Sequence, residues 1–247
     1  MPAPRFWQFA HLTDSTKDMG WLDRIPRATT GLLPPDNSSS GVDGGGGGGG
    51  GGDRGNLYIG GLHALYSHPH LLREAKVSHV LSVIDFDLST DDGAGRSNRG
   101  GGDSGVLEGY QHLMIREDDE PNANLLQHFE RTNDFIEEGL RDGKGRDAGG
   151  GVFVHCAMGK SRSATVCCAY LMWKYDLAPQ EALQWVCEGR AVCSPNPGFM
   201  EQLEVWRRML DVQDRVGRER VYRDWEVNRF KGDYWEWEKK RGKGAKL

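Results

Sequence analysis

Cys156 and Arg162 stand six positions apart in "HCAMGKSRSA". A cysteine attacks as its thiolate, and the free thiol pKa of about 8.5 falls at helix N-termini and beside cations. Arginine presents a planar fork that holds two phosphate oxygens, which lysine cannot do. The loop between them contains Gly159 and is small or flexible enough to curl its backbone N–H groups around one point. A helix opening at Arg162 turns its positive dipole end toward the same point. Residues of these types at this spacing suit attack by a Cys156 thiolate on the phosphorus of a bound phosphate ester. An ordinary buried cysteine is the plain alternative, but a lone structural cysteine needs neither the arginine nor the loop.

The same stretch holds Gly159-Lys160-Ser161, which resembles the end of a nucleotide-binding loop, G-x-x-x-x-G-K-[ST]. Its first glycine belongs at position 154, where Val154 stands inside an apolar run. The nucleotide reading fails there. Displacing an alcohol from phosphorus also requires a proton donor. The turn "REDDEPNAN" supplies Glu117, Asp118, Asp119 and Glu120 as candidates.

The elements that must position these groups follow from periodicity. "GVFVH" predicts an apolar strand that delivers Cys156 to its C-terminal end, where α/β sheets place their sites. A helix from Arg162 carries Val166, Tyr170 and Trp173 on one face. "NLYIGG", the β-branched "VSHVLSVIDF" and "YQHLMI" predict further strands. "HPHLLREAK", "LLQHFERTNDFIEEGLR", "APQEALQWVCEGR" and "FMEQLEVWRRML" predict helices, the last with Phe199, Leu203, Trp206 and Leu210 on one stripe. The alternation implies an α/β fold, a central mostly parallel sheet flanked by helices.

Three segments interrupt that pattern. Residues 1–54 read as a disordered extension, with a linker over 27–54 that includes nine consecutive glycines, Gly44 to Gly52. Such a run buries nothing to offset the entropy of ordering it, so "NLYIGG" is expected to be the first folded element. Residues 89–105 read as a flexible insertion inside a domain spanning 55–212. Residues 213–247 read as a helical and basic tail, whose last nine residues carry five basic ones. A net charge of −5 gives no general reason to expect DNA or membrane binding. Five unpaired-looking cysteines, no secretory signal pattern and no apolar run long enough to span a bilayer predict a cytoplasmic or nuclear protein.

"HCAMGKSRSA" resembles the H-C-x5-R-[ST] signature of cysteine-dependent protein phosphatases, specifically the dual-specificity group. "NLYIGG", "VSHVLSVI", "LLQHFERTNDFI", "SATVCCAYLMWKYDLAPQEAL" and "SPNPGFMEQLEVW" resemble that group's segments in the expected order, covering about residues 55 to 212. The resemblance implies a metal- and cofactor-independent phosphatase acting on phosphotyrosine and phosphoserine/threonine through a cysteinyl-phosphate. In the group the general acid lies six positions before the hydrophobic residue that opens the next helix. Counted from Leu125 that is Asp119, with Asp118 as the alternative. Ser163 is implied to assist the departing thiolate, and His155 to orient the loop. Ala157, Met158, Gly159, Lys160 and Ser161 complete the phosphate-binding loop.

Within the group, "GNLYIGGLHAL" and "NPGFMEQL" are similar to a fungal-type subgroup that carries a C-terminal zinc-binding domain. That subgroup implies pre-ribosomal particles as partners beside phosphorylated protein substrates. The role is tied to the zinc domain, and this sequence has no Cys or His after Cys193. The rival readings are a non-catalytic module that captures phosphorylated partners and a ribosome-assembly scaffold.

Overall fold

The computed structural model describes residues 21–30, 55–86, 88, 105–141, 150–232, 235–237 and 239. Five strands form one sheet: β1 (Leu22–Arg24), β2 (Leu57–Gly61), β3 (Val77–Val83), β4 (Gln111–Ile115) and β5 (Gly151–Cys156), in the order β1-β2-β5-β3-β4. β5 pairs in parallel with both β2 and β3, and β3 in parallel with β4. β1 is antiparallel to β2. A strand covered on both faces reads as a continuous apolar run, and every residue of β5 is buried.

Short helices α1 (Arg27–Thr30), α2 (His63–Tyr66) and α3 (Pro69–Glu74) flank the early strands. A 3-10 turn at Leu126–His128 leads into α4 (Phe129–Arg141). Then follow α5 (Arg162–Tyr175), α6 (Pro179–Gly189), α7 (Pro197–Leu210) and α8 (Arg215–Asn228). Among the described residues no helix is long and apolar enough to cross a membrane.

The expected helix from Arg162 forms, and its burial is not confined to the face of Val166, Tyr170 and Trp173. α5 is buried all round from Arg162 to Met172, while Trp173 is 39% exposed. The reason is tertiary as well as local: α4, α6 and α7 all pack against α5, and a helix that is apolar on every side belongs at the centre of a bundle. The acid Glu137 of α4 crosses it there. Tyr170 and Lys174 of α5 donate to its carboxylate at 2.8 and 2.7 Å, and Arg141 pairs with it at 2.9 Å.

A second correction falls on the N-terminal boundary. Residues 21–28 belong to the folded unit, not to a disordered extension. β1 extends the sheet, Ile25 is completely buried, and Arg27 pairs with Glu188 of α6 at 2.5 Å while lying over the Trp185 ring. A three-residue strand is too short to announce itself by alternation. Its pairing comes from an edge supplied by β2, more than thirty residues along the chain. The glycine run at 44–52 and residues 89–104 lie outside the described residues, as do 240–247.

Candidate active site

β5 ends at Cys156, and the chain turns through Gly159 into α5 at Arg162. Gly159 sits at φ +70°, and a Cβ there would come within 2.4 Å of the Gly60 backbone. Only glycine allows both the left-handed conformation and that close approach. The result is a loop whose N–H groups face inward. The Gly159 N–H donates to Cys156 Sγ at 3.2 Å, the Lys160 N–H bonds to it as well, and Ser163 Oγ lies 3.4 Å from it.

The loop carbonyls point outward and are held. Leu62 N–H donates to Ala157 O at 3.1 Å, and Ser194 N–H donates to Lys160 O at 2.8 Å. Arg190, buried at the end of α6, donates to Gly159 O at 2.8 Å and to Met158 O at 3.1 Å. Its remaining nitrogen pairs with Asp23 of β1 at 2.5 Å. Sequence reasoning passed over Arg190 and Asp23, because nothing local distinguishes a buried clamp from a surface charge.

Arg162 is buried. Its Nη1 donates to Glu117 O at 3.1 Å and lies 3.7 Å from Asp85. Its Nε is buried without a hydrogen-bond partner. Burial disfavours the Cys156 thiolate. The Arg162 guanidinium, the Ser163 hydroxyl and N–H, and the Lys160 N–H outweigh that, holding the thiol pKa below its ordinary value. The other cysteines move the opposite way. Burial raises the pKa of Cys167, Cys168 and Cys187, and pushes Cys193 up to about 12. One thiol in five is electrostatically prepared to attack.

The four acids of the turn separate cleanly. Asp119 Oδ1 accepts from Ser161 Oγ at 2.6 Å and Asn196 Nδ2 at 3.0 Å, and its Oδ2 is 3.8 Å from Arg162 Nε. The Asp118 carboxylate instead accepts from the Asp119 N–H at 2.7 Å. Glu117 turns to the 3-10 turn before α4, where His128 and Gln127 each meet its Oε1 at 3.1 Å. Glu120 closes a turn through its carbonyl with the Ala123 N–H. Asp119 alone of the four is tied by its side chain to the Cys156 loop, through Ser161 and Arg162.

Asn196 is a further member that the sequence reading missed. It caps α7, accepting from Phe199 N–H at 3.0 Å, while its backbone N–H donates to Ser161 Oγ at 3.0 Å. "NPG" carried the signal: an Asn N-cap followed by Pro at the first helical position.

His155 offers no ring nitrogen to the pocket. Nε2 lies 2.7 Å from Ser82 Oγ, Nδ1 is 3.3 Å from Cys156 O, and the ring stacks on Phe153. Ser82 in turn meets His112 Nε2 at 2.9 Å. With Nδ1–H directed at the carbonyl, Nε2 accepts from the Ser82 hydroxyl, which accepts from His112. Burial, with the His112 and Arg162 charges, lowers the His155 pKa to about 3 despite its bond to Cys156 O.

The C-terminal elements reach back to the acid-bearing turn. Asn124 Nδ2 donates to Tyr222 Oη at 2.9 Å and lies 3.3 Å from Glu226. Arg229 Nη1 donates to Asn122 O at 2.5 Å, and Asn122 Nδ2 donates to Gly232 O at 2.7 Å. Gln202 of α7 accepts from Leu126 N–H and donates to Ala123 O. Gly198 packs so closely on Pro121 that a Cβ would fall 2.0 Å from its carbonyl.

A cysteine thiolate at the end of a central parallel strand, ringed by N–H donors and faced by a buried arginine, is a nucleophile arranged for a tetrahedral oxyanion. Comparison with known proteins agrees. The family model described as "Dual specificity phosphatase, catalytic domain" matches residues 65–209. The Arabidopsis thaliana dual specificity protein phosphatase 1 is 35% identical over 64% of this chain and 69% of its own. The Saccharomyces cerevisiae tyrosine-protein phosphatase YVH1 is 32% identical over 63% of this chain. The match spans 42% of the length of that relative. The solved Yvh1 phosphatase domain from Chaetomium thermophilum is 36% identical, covers 64% of this chain and 94% of its own, and superposes with a TM-score of 0.51. The chain belongs to the dual specificity phosphatase family.

Proposed function

We propose that the protein hydrolyses phosphotyrosine and phosphoserine/threonine in protein substrates through a cysteinyl-phosphate intermediate. The observation that carries this reading is the convergence on Cys156 Sγ. The Gly159 N–H and Ser163 Oγ lie within 3.4 Å of it, beside a buried Arg162 whose Nε has no hydrogen-bond partner. A phosphate seated above the sulfur supplies that partner.

In the first step the Cys156 thiolate forms the S–P bond while the P–O bond to the substrate breaks, and Asp119 gives its proton to the leaving oxygen. In the second, water attacks phosphorus and passes a proton to Asp119. The S–P bond breaks, and the Ser163 hydroxyl donates to the departing thiolate. Arg162 and the loop N–H groups hold the equatorial oxygens in both steps. The relatives' names, tyrosine-protein and dual specificity phosphatase, support the substrate class.

Phosphate release from phosphotyrosyl and phosphothreonyl peptides is expected from the full chain. The Cys156→Ser variant should lose turnover yet still bind the same peptides. Undiminished turnover in that variant, or activity that requires an added divalent metal, would overturn the mechanism.

A further inference from the structure

Well away from Cys156, helices α4, α5, α7 and α8 enclose a cleft of about 400 Å³ lined by Glu130, Asn133, Asp134, Trp173, Arg215 and Arg218 among others. Arg162 opens α5 and Trp173 stands near its far end, roughly 16 Å along the axis at about 1.5 Å per residue. The volume lies in the range of built ligand sites.

Asn133 marks the cleft as built for an occupant. It is 2% exposed, and both its Oδ1 and Nδ2 are buried without a hydrogen-bond partner. Buried amides are almost always paired. The Nε of Arg218 is likewise buried and unpartnered, while the same guanidinium lies 3.9 Å from Glu130. Trp173 adds a flat, partly exposed indole wall, and Trp206 closes the interior with its own N–H already spent on Ala169 O.

The lining chemistry selects the occupant. A carboxamide with donor and acceptor both free is matched by a peptide unit, which presents the complementary pair. Two acids on α4 oppose two arginines on α8, so the lining sums to zero charge and gives no preference to a net anion. It favours a neutral amide whose neighbours carry opposite charges. An indole face favours an apolar or aromatic side chain at low entropic cost.

We propose that this cleft docks a peptide segment of the phosphoprotein substrate at a distance from the phosphorylated residue, one backbone amide on Asn133 and an apolar side chain against Trp173. The proposal rests on the protein phosphatase reading. The separation corresponds to about five or more extended residues at about 3.3 Å each.

The test uses the full chain and phosphotyrosyl peptides carrying one Phe, stepped from about two to about ten residues away from the phosphotyrosine. p-Nitrophenyl phosphate serves as a small control substrate. The expected result is a KM lowered about tenfold at one register, a shift typical of one aromatic anchor. Asn133→Leu and the surface variant Trp173→Ala should each remove that minimum and leave p-nitrophenyl phosphate hydrolysis unchanged. A KM indifferent to Phe position, or a minimum that survives both variants, would overturn the proposal. If p-nitrophenyl phosphate is not hydrolysed at all, the phosphatase reading falls separately. Docking is then decided by tryptophan fluorescence of the Cys156→Ser chain titrated with the unphosphorylated peptide. A change abolished by Asn133→Leu supports docking, and no change overturns it.

Discussion

His155 ties the nucleophile to the interior of the sheet, and its protonation state is written into stability. Its folded pKa of about 3 lies below the ordinary 6.5. Between those values the unfolded chain binds a proton that the native state refuses, so stability is full above about pH 6.5 and falls as pH drops toward 3. One such proton is worth about 1.4 kcal/mol per pH unit. Denaturant titrations at pH 7 and pH 5 should show this slope in the wild type, and its loss in His155→Gln. An equal slope in both would show that the histidine titrates freely in the native state. Asp119 makes a second residue-scale prediction. Asp119→Asn should slow hydrolysis of an alkyl phosphoserine peptide by about a hundredfold or more, while an aryl phosphate with a good leaving group is affected much less. Equal losses on both would assign the carboxylate to positioning Ser161 and Asn196 only.

At the scale of elements, α8 and the residues after it act on the acid-bearing turn. Tyr222, Arg229 and Gly232 hold Asn122 and Asn124, three to five positions beyond Asp119. The family match ends at residue 209, so this brace lies outside it. Loosening it should blur the position of the acid without touching phosphate binding. Arg229→Ala is expected to lower kcat about three- to tenfold on a phosphoserine peptide, since small displacements of a catalytic group cost rate steeply. KM should stay within about twofold. A change in KM alone, or none in kcat, would mean that α8 serves packing only.

At the scale of the whole molecule, β1 joins the N-terminal residues to the catalytic loop. Asp23 of β1 holds Arg190, which holds the carbonyls of Met158 and Gly159. Ile25 of the same segment is fully buried against the core. Ile25→Ala in the full chain should therefore destabilise it by about 2–4 kcal/mol, the usual range for truncating a core aliphatic residue, read from the denaturant midpoint. A change under about 0.5 kcal/mol would return these residues to the status of a dispensable extension.

The sequence alone determined the local arrangements: a strand into Cys156, a loop that contains Gly159, a helix from Arg162, and the alternation that makes an α/β sheet. These follow from periodicity and from residue types a few positions apart, so they need no partner elsewhere in the chain. Choosing Asp119 among four neighbouring acids took family spacing, and its geometry appears only once Ser161 and Asn196 arrive from other elements. Arg190, Asp23, Ser82, His112 and the Asn133 cleft were illegible for the same reason. Burial and hydrogen-bond pairing belong to residues up to 167 positions apart, and only the packing of α4, α6, α7 and β1 around α5 and β5 brings them together.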